Sequence, residues 1–331
     1  MLILPYLLVI IKNIIYGSSI FFTASLTEST DVLDVLALRF LLSLIVMWVL
    51  KTLGVIKIKV GVRELIKPSG RSSAIRTLIL TAIFEPVLYM LFETLGISMT
   101  TNVTTAIIIA LSPIVTCIFE IVFLRERCSL AEKILLGVGI VGVVYVALKT
   151  KSSGGESSPL GILFLVLAVI CGSLFAVFSR KASREFSAME VTYVSCMLGA
   201  VAFNAINTVR HIVRGSLLHY FDPYFDLSNI IGFIFLGVIS TVVATGCNNY
   251  CLGRLQASTV AAFGGLSTVV TILIGVFIGG EKLFYYHYIG IFLIAVRMIG
   301  VSLISFRRTK SGVKLPEITE SNAKMSKCGI K

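Results

Sequence analysis

The chain has 331 residues, of which 56% are hydrophobic and only 14% are charged, whereas a soluble globular protein carries roughly 25% charged residues. This composition, with a mean hydropathy of +0.97, excludes a chain built around a large soluble domain and predicts a polytopic membrane protein. The formal net charge of +12 is not interpreted as affinity for nucleic acid, because most Lys and Arg residues lie in the polar segments between apolar runs.

Ten apolar runs are long enough to cross a bilayer as helices, and they are too long and unbroken for the strands of a membrane barrel. The predicted helices lie at 2–26, 32–53, 76–97, 101–124, 130–149, 159–180, 188–209, 229–252, 257–279 and 286–306. The first run lacks a basic flank and a small-residue cleavage site, so we expect a retained helix rather than a signal peptide. The polar, basic tail at 307–331 is expected to be disordered and cytoplasmic.

A repeat at an offset of 155 residues divides these helices into two sets of five. The residues that recur are Gly17-Ser18 as Gly172-Ser173, Leu111-Ser112 as Leu266-Ser267, Val115-Thr116 as Val270-Thr271, and Glu126 as Glu281. The repeats are predicted to span 2–149 and 159–306. Because each contains an odd number of helices, the second enters the membrane inverted, which is typical of transporters that work by alternating access.

The distribution of basic residues predicts the orientation in the cell membrane. Loops on the side of the tail, with the tail itself, hold 21 Lys and Arg residues, and the opposite loops hold 5. Because basic residues concentrate on the cytoplasmic side, both ends of the chain are predicted to be cytoplasmic.

Short motifs in both halves carry a resemblance to a known family. In chain order they are Tyr16-Gly17-Ser18-Ser19, Ala37-Leu38-Arg39-Phe40, Phe92-Glu93-Thr94-Leu95, Leu111-Ser112-Pro113, Arg125-Glu126, Gly172-Ser173, Asn249-Tyr250-Cys251-Leu252 and Gly280-Glu281-Lys282. Together they resemble the EamA branch of the drug/metabolite transporter superfamily. The resemblance implies a ten-helix basket with an inverted repeat, and many members export amino acids or other small metabolites. The sequence departs from the pattern at Thr268, where the first repeat has Pro113, and at Arg297.

Polar residues inside the apolar runs are the candidates for a substrate site, because a charge at mid-bilayer costs about 2.5–3.5 kcal/mol and needs a hydrated cavity or a partner. The charged ones are Lys12, Arg39, Glu85, Glu93, Glu120 and Arg297. Helical spacing places polar residues on one face of each of four predicted helices, those at 2–26, 76–97, 101–124 and 229–252. Thr241 and Thr245 lie on that face of the helix at 229–252. The predicted substrate-binding residues are Lys12, Tyr16, Glu85, Tyr89, Glu93, Ser112, Thr116, Asn248 and Asn249.

Depth in the bilayer suggests that Lys12 pairs with Glu85 and Arg39 with Glu93, although Arg39 could instead extend to the lipid headgroups. Glu120 lies either at the site or paired with Arg125 or Arg127. Tyr16 and Tyr89 either contact substrate or pack, and Arg297 lines the cavity or an oligomer interface. Pro113 is predicted to kink its helix, and Gly264-Gly265 to allow bending or close packing.

These patterns predict a secondary transporter of small metabolites, most simply an exporter of amino acids, since a cavity with both carboxylates and cations suits a zwitterion. A nucleotide-sugar or drug carrier is the alternative, and a membrane enzyme or sensor is disfavoured. A phosphate-binding loop is absent from the sequence, and proton coupling through Glu85 or Glu93 would replace ATP. The seven Cys and three His residues suggest neither a metal nor another cofactor; the Cys residues are expected to be small buried hydrophobes. The sequence leaves open whether the protein is a monomer or a homo-oligomer.

Overall fold

The computed structural model describes residues 3–60, 72–124 and 158–280, together with residue 65 and scattered residues within 134–145 and 285–300. In this part of the chain, eight helices are long and apolar enough to cross a membrane. They are α1 (Ile3–Ser29), α2 (Val32–Thr52), α3 (Ser72–Ile97), α4 (Asn102–Phe123), α5 (Pro159–Ala182), α6 (Ala188–Arg214), α7 (Asn229–Leu252) and α8 (Thr259–Phe277). A 3₁₀ turn, Leu217–His219, and a short helix, Asp222–Phe225, lie between α6 and α7.

Eight of the ten predicted helices therefore match observed spans. Only scattered residues of the predicted helices at 130–149 and 286–306 are described, and the tail, Arg125 to Arg127 and Arg297 lie outside the described residues. The helix predicted at 188–209 continues to Arg214, and two short helical segments follow before α7.

The ends of α6 illustrate how the sequence defines a helix. Ser187 and Glu190 form a capping box, in which the Ser hydroxyl accepts from the Glu190 amide and the Glu carboxylate accepts from the Ser187 amide at 2.8 Å. At the other end Gly215 adopts a left-handed φ of 65°, a conformation that favours glycine and ends the helix.

The surface and the interior have the polarity expected of a membrane protein. Large apolar side chains such as Trp48 (58% exposed) and Val213 (81% exposed) point outward. The interior holds buried Thr, Ser and Asn residues on nearly every span, and also buried charges. Because lipid solvates apolar side chains, the helices are held mainly by close packing and by these interior hydrogen bonds.

Two helices are interrupted at equivalent points of the two repeats. In α3 the segment Ile83–Leu88 is wound as a π-helix, and Glu85 has extended backbone angles (φ −139°, ψ 117°) before Pro86, which has no amide hydrogen. Adding the offset of 155 residues to 83–88 gives 238–243, which falls within the π-helical segment Phe235–Ala244 of α7. There the Thr241 hydroxyl donates to the Leu236 carbonyl at 2.7 Å, which satisfies a carbonyl near the irregular turn.

The kink predicted at Pro113 in α4 is confirmed, and of the two alternatives for Gly264-Gly265 in α8 the structure shows a bend. In α4 a regular helix ends at Ile109 and another begins at Ser112, with Pro113 in its first turn. In α8 the break lies between Ala262 and Gly265. The second repeat therefore bends without a proline at Thr268.

The repeated Gly-Ser pair lies where one repeat packs against the other. A Cβ on Gly17 in α1 would stand 2.6 Å from the Ser267 carbonyl oxygen in α8, and the Thr271 hydroxyl donates to the Gly17 carbonyl at 2.9 Å. In the other half, the Ser173 hydroxyl in α5 donates to the carbonyl of Ser112 in α4 at 3.3 Å. Ser267 is the repeat equivalent of Ser112, so the two contacts are reciprocal.

Other contacts between the repeats follow the same reciprocal order. Helix α2 packs against the irregular part of α7, and α6 packs against the irregular part of α3. Helices α2 and α6, which are equivalents of each other, pack together through stacked Phe40 and Phe203 rings at 5.4 Å. Reciprocal contacts of this kind are what an approximate two-fold relation between the repeats produces.

Candidate functional site

A cavity lies where α2, α3, α6 and α7 meet, next to both irregular segments. The space within it that a water-sized sphere can occupy is about 10 Å³, which is room for about one water molecule, so a larger ligand needs the surrounding helices to move apart. The residues that line it are Phe40, Glu85, Pro86, Met90, Ser195, Cys196, Thr241 and Thr245. Five of these residues carry a carboxylate, hydroxyl or thiol group.

 Of these five, Glu85 lies on α3 in the first repeat, and the other four lie on α6 and α7 in the second repeat.

Most of the lining residues form repeat-equivalent pairs. At the offset of 155 residues, Phe40 corresponds to Ser195, Pro86 to Thr241 and Met90 to Thr245. Six of the eight lining residues are therefore paired across the two repeats. This pairing places the cavity at the junction about which the two halves of the molecule are related.

The paired positions differ in chemistry. The first repeat contributes the apolar side chains of Phe40, Pro86 and Met90, whereas the second contributes three hydroxyl groups at the equivalent positions. The cavity therefore has one apolar wall and one hydrogen-bonding wall, with a carboxylate, Glu85, on the apolar side.

Two polar groups that face the cavity lack hydrogen-bond partners among the described residues. Glu85 is 8% exposed, and none of the described residues donates a hydrogen bond to its carboxylate. The Ser195 hydroxyl on the opposite wall is 4% exposed and is likewise without a partner in this part of the chain. Buried polar groups are nearly always hydrogen-bonded, so this pair indicates a place for a ligand or for water.

Arg39 lies beside this site on α2 and is only 2% exposed. Its Nε donates to the Thr241 hydroxyl at 2.8 Å, and its Nη2 donates to the Ser240 hydroxyl at 3.2 Å. The alternative that Arg39 extends to the lipid headgroups is therefore wrong, because its guanidinium is held between helices.

The predicted ion pairs do not form as direct contacts. Within the described residues, no nitrogen–oxygen distance of 4 Å or less joins Lys12 to Glu85 or Arg39 to Glu93. Each pair nevertheless interacts electrostatically at longer range. The Lys12 ammonium, 6% exposed, lies 5.4 Å from the centre of the Tyr16 ring. The hydroxyls of α7 thus take the place expected for Glu93 beside Arg39.

The two predicted tyrosines connect this group of charges. The Tyr16 hydroxyl lies 3.2 Å from the Thr245 hydroxyl, and the Tyr89 hydroxyl donates to Glu93 Oε1 at 2.5 Å. A Cβ on Gly172 would stand 2.9 Å from the Tyr89 ring, so the repeated glycine also makes room for this side chain. The structure therefore brings Lys12, Tyr16, Glu85, Tyr89 and Glu93 into one cluster.

Of the nine predicted substrate-binding residues, only Glu85 lines the cavity itself. The Ser112 hydroxyl donates within its own helix, to Ile109 at 2.6 Å, and Thr116 is buried. Asn249 connects three helices, since it accepts from Ser179 at 2.7 Å and donates to Thr192 at 3.0 Å.

Asn248 differs from its neighbour. It is buried, yet its side chain makes no hydrogen bond to another described residue. Glu120 is also buried, and the arginines proposed as its partners lie outside the described residues.

Sequence reasoning missed several lining residues that a repeat-based signal could have found. Ser195 and Cys196 were not considered, and Thr241 and Thr245 were assigned only to a polar helix face. Adding 155 residues to Phe40 and Met90 gives Ser195 and Thr245 directly. Pro86, next to Glu85, also signalled that α3 could not be regular through its middle.

A second charged cluster joins α2 to α6 at the end of the molecule opposite the predicted cytoplasmic face. The Asp34 carboxylate lies 2.8 Å from Nε2 of His211 and accepts hydrogen bonds from Asn207 at 2.9 Å and from Arg210 at 2.8 Å. Arg210 also donates to Asp31. We call these five residues the outer junction. The sequence had suggested no role for His211, because α6 was predicted to end before it.

Electrostatics at Asp31 follow from these contacts. Partial burial raises the pKa of this carboxyl, but hydrogen bonds from the Leu33 amide and from Arg210 outweigh burial and hold the pKa below its ordinary value of 3.8.

One of the expectations about the cysteines was wrong. Cys171, Cys196 and Cys251 are buried free thiols, as expected for small apolar residues, and Cys247 is half-buried. Cys117 was expected to be a free buried thiol as well, but it is disulfide-bonded. Within the described residues, no cluster of three His, Cys, Asp or Glu side chains could hold a metal ion.

Comparisons with known proteins agree with the two-repeat organisation. Residues 3–148 and 159–306 each match the EamA-like transporter family. The chain is 28% identical over 305 residues to the uncharacterized transporter YcxC of Bacillus subtilis, covering 92% of this chain and 95% of that protein. It is 21% identical over 220 residues to the uncharacterized inner membrane transporter YedA of Escherichia coli K12, covering 66% of this chain and 67% of that protein.

A solved crystal structure has the same fold. It superposes with a TM-score of 0.62 at 18% sequence identity, covering 91% of this chain and 97% of the other. At this identity the similarity concerns the fold alone.

Proposed function

Because the chain belongs to the EamA-like transporter family of multi-pass membrane proteins, we propose that it is a secondary-active transporter that exports amino acids or related small metabolites. The single observation that carries the proposal is the cavity lined by repeat-equivalent residues of both halves. A site at such a junction can open to either side of the membrane when one half moves against the other.

Several features support alternating access by two inverted five-helix repeats. The contacts between the repeats are reciprocal, and α3 and α7 are irregular at equivalent positions beside the cavity. Irregular helical turns are common at functional sites and at points where helices bend. Loops on the side of the tail, with the tail, hold 21 basic residues and the opposite loops hold 5, which supports an orientation in the cell membrane with both ends of the chain in the cytoplasm.

The charges near the site support a small zwitterion as substrate. Two cations, Lys12 and Arg39, and two carboxylates, Glu85 and Glu93, lie near one another, so a molecule with both charges leaves the site neutral. Glu85 or Glu93 would couple transport to a proton gradient by binding and releasing a proton.

The experiment that tests the proposal compares wild type with Glu85→Gln. Metabolites released by cells that overexpress each form identify the substrate, and counterflow of that metabolite is then measured in proteoliposomes with and without a pH gradient. Glu85→Gln is expected to lower flux at least about tenfold, because a hydrogen bond to a charged group contributes about 1.5–3 kcal/mol. It should also abolish the response to the pH gradient.

Glu28→Gln is the matched control, since Glu28 is an exposed carboxylate near the end of α1. It should transport like wild type. Equal flux through Glu85→Gln and wild type would contradict the proposed role of the cavity, and a wild-type protein that exchanges no metabolite would contradict transport itself.

A further inference from the structure

The two walls of the cavity are equivalent in position but not in chemistry, and this difference restricts how a ligand can lie between them. If both walls were alike, a small molecule could bind in either of two orientations related by the repeat. Here an apolar wall with a carboxylate faces a wall of hydroxyls. A ligand with distinct ends therefore gains more in one orientation than in the other.

The two unpaired groups indicate what the ligand brings. Glu85, 8% exposed and without a hydrogen-bond donor among the described residues, needs a donor and preferably a positive charge. An ammonium group supplies both. The Ser195 hydroxyl, 4% exposed and also unpaired in this part of the structure, can donate to an oxygen atom of the ligand.

The other hydroxyls of that wall are already engaged. Thr241 accepts from Arg39 and donates to the Leu236 carbonyl, and Thr245 lies within hydrogen-bond distance of the Tyr16 hydroxyl. Ser195 is therefore the group on this wall that remains for the ligand. Phe40, Pro86 and Met90 offer no hydrogen bonds, so they accommodate an apolar substituent.

We propose that the cavity, once it is widened by movement of one repeat against the other, binds a small amino acid with an apolar side chain in one fixed orientation. Its ammonium group lies at Glu85, its carboxylate accepts from Ser195, and its side chain contacts Phe40 and Met90. This assignment rests on the proposed function and narrows its substrate class, since acidic amino acids would place a second carboxylate against the apolar wall.

The test uses four probes of related shape with purified protein: leucine, isoamylamine, 4-methylpentanoate and glutamate. Isoamylamine lacks the carboxylate of leucine, and 4-methylpentanoate lacks its amine. Calorimetry should detect binding of leucine, weaker binding of isoamylamine, and none of 4-methylpentanoate or glutamate at the same concentrations. Binding of 4-methylpentanoate as tight as that of leucine would overturn the assignment of the ammonium group.

Ser195→Ala separates the two ends of the ligand. It is expected to weaken the binding of leucine about fivefold, which corresponds to the loss of one ordinary hydrogen bond, and to leave the binding of isoamylamine unchanged. Ser183→Ala is the matched control, because the Ser183 hydroxyl is also buried without a partner in the described structure but does not line the cavity. An equal loss for leucine and isoamylamine in Ser195→Ala would contradict the contact with the carboxylate.

Glu85→Gln should remove most of the difference in binding affinity between leucine and 4-methylpentanoate. The thermal unfolding of each variant shows whether it is folded. The unfolding temperature of Ser195→Ala should be no lower than that of wild type, since the substitution removes an unpaired hydroxyl. If none of the probes binds while counterflow of another metabolite continues, the fixed orientation is overturned and transport stands. If counterflow of every metabolite is absent, the proposed function itself fails.

Discussion

The outer junction and the central cavity are both groups of charged residues where the two repeats meet, but they differ in how the charges are satisfied. At the outer junction each carboxylate has partners: Asp34 contacts His211, Asn207 and Arg210, and Asp31 contacts Arg210. At the cavity Glu85 has none among the described residues. Satisfied charges hold helices together, whereas an unsatisfied charge is available to a ligand.

The same distinction between satisfied and unsatisfied charges applies among the residues beside the cavity. Arg39 lies near Glu85 and Glu93, yet its hydrogen bonds go to α7, so it connects helices while its charge still acts on the site. Helices α2 and α7 are thus joined beside the cavity by neutral hydroxyls rather than by an ion pair. This leaves Glu85 without a direct contact from Arg39.

The largest expected effect is the loss of stability in Asp34→Ala. Removing one partner of a buried ion pair typically costs about 3–5 kcal/mol, because the remaining charge is left without compensation. Thermal unfolding in detergent should therefore shift strongly to lower temperature. Glu85→Gln should unfold close to wild type, since Glu85 loses no hydrogen bond from the described residues. If Glu85→Gln were as unstable as Asp34→Ala, the contrast between the two regions would be wrong.

A smaller effect is expected from two adjacent residues on α7. Asn249→Ala breaks hydrogen bonds to Ser179 and Thr192 and should cost about 1–3 kcal/mol of stability. Asn248→Ala breaks none among the described residues and should leave unfolding unchanged. Measuring the unfolding of both variants in the same detergent makes each the control of the other. Equal destabilisation would show that the hydrogen bonds of Asn249 do not hold the helices.

The smallest effect concerns pH and Asp31. Because its pKa is held below 3.8 in the folded protein, its contribution to stability is present above that value and is lost as the pH falls through the lower, folded pKa. Asp31 is partly exposed, so the contribution is small. The unfolding temperature of wild type should fall slightly more than that of Asp31→Asn between pH 5 and pH 3, because these two pH values lie on either side of the ordinary pKa of 3.8. Parallel curves would show that Arg210 contributes nothing through Asp31.

Much of the fold followed from the sequence because long apolar runs have few alternatives in a bilayer. The eight described spans lie where hydropathy placed them, and the Gly-Ser pairs that defined the repeat lie at contacts between the repeats. Close packing needs a small residue at such points, so the recurrence had a physical cause.

The site was predicted less completely because helical spacing assumes a regular helix. Glu85, Tyr89 and Glu93 were expected on one face of a straight helix, but the extended backbone at Glu85 and the π-helical turn change that geometry. Partners across helices also could not be read from depth alone. Arg39 was expected beside Glu93, and only the structure shows that Ser240 and Thr241 lie closer.

The central claim is that the cavity between the repeats opens alternately to both sides of the membrane. Cys196 lines the cavity and is 1% exposed, so it can report this directly once the other six of the seven cysteines are replaced. A small thiol reagent that does not cross membranes would be added to either face of vesicles in which this variant still transports. The account predicts modification from both faces, slowed by the transported metabolite. Modification from one face only, or only after unfolding, would contradict it.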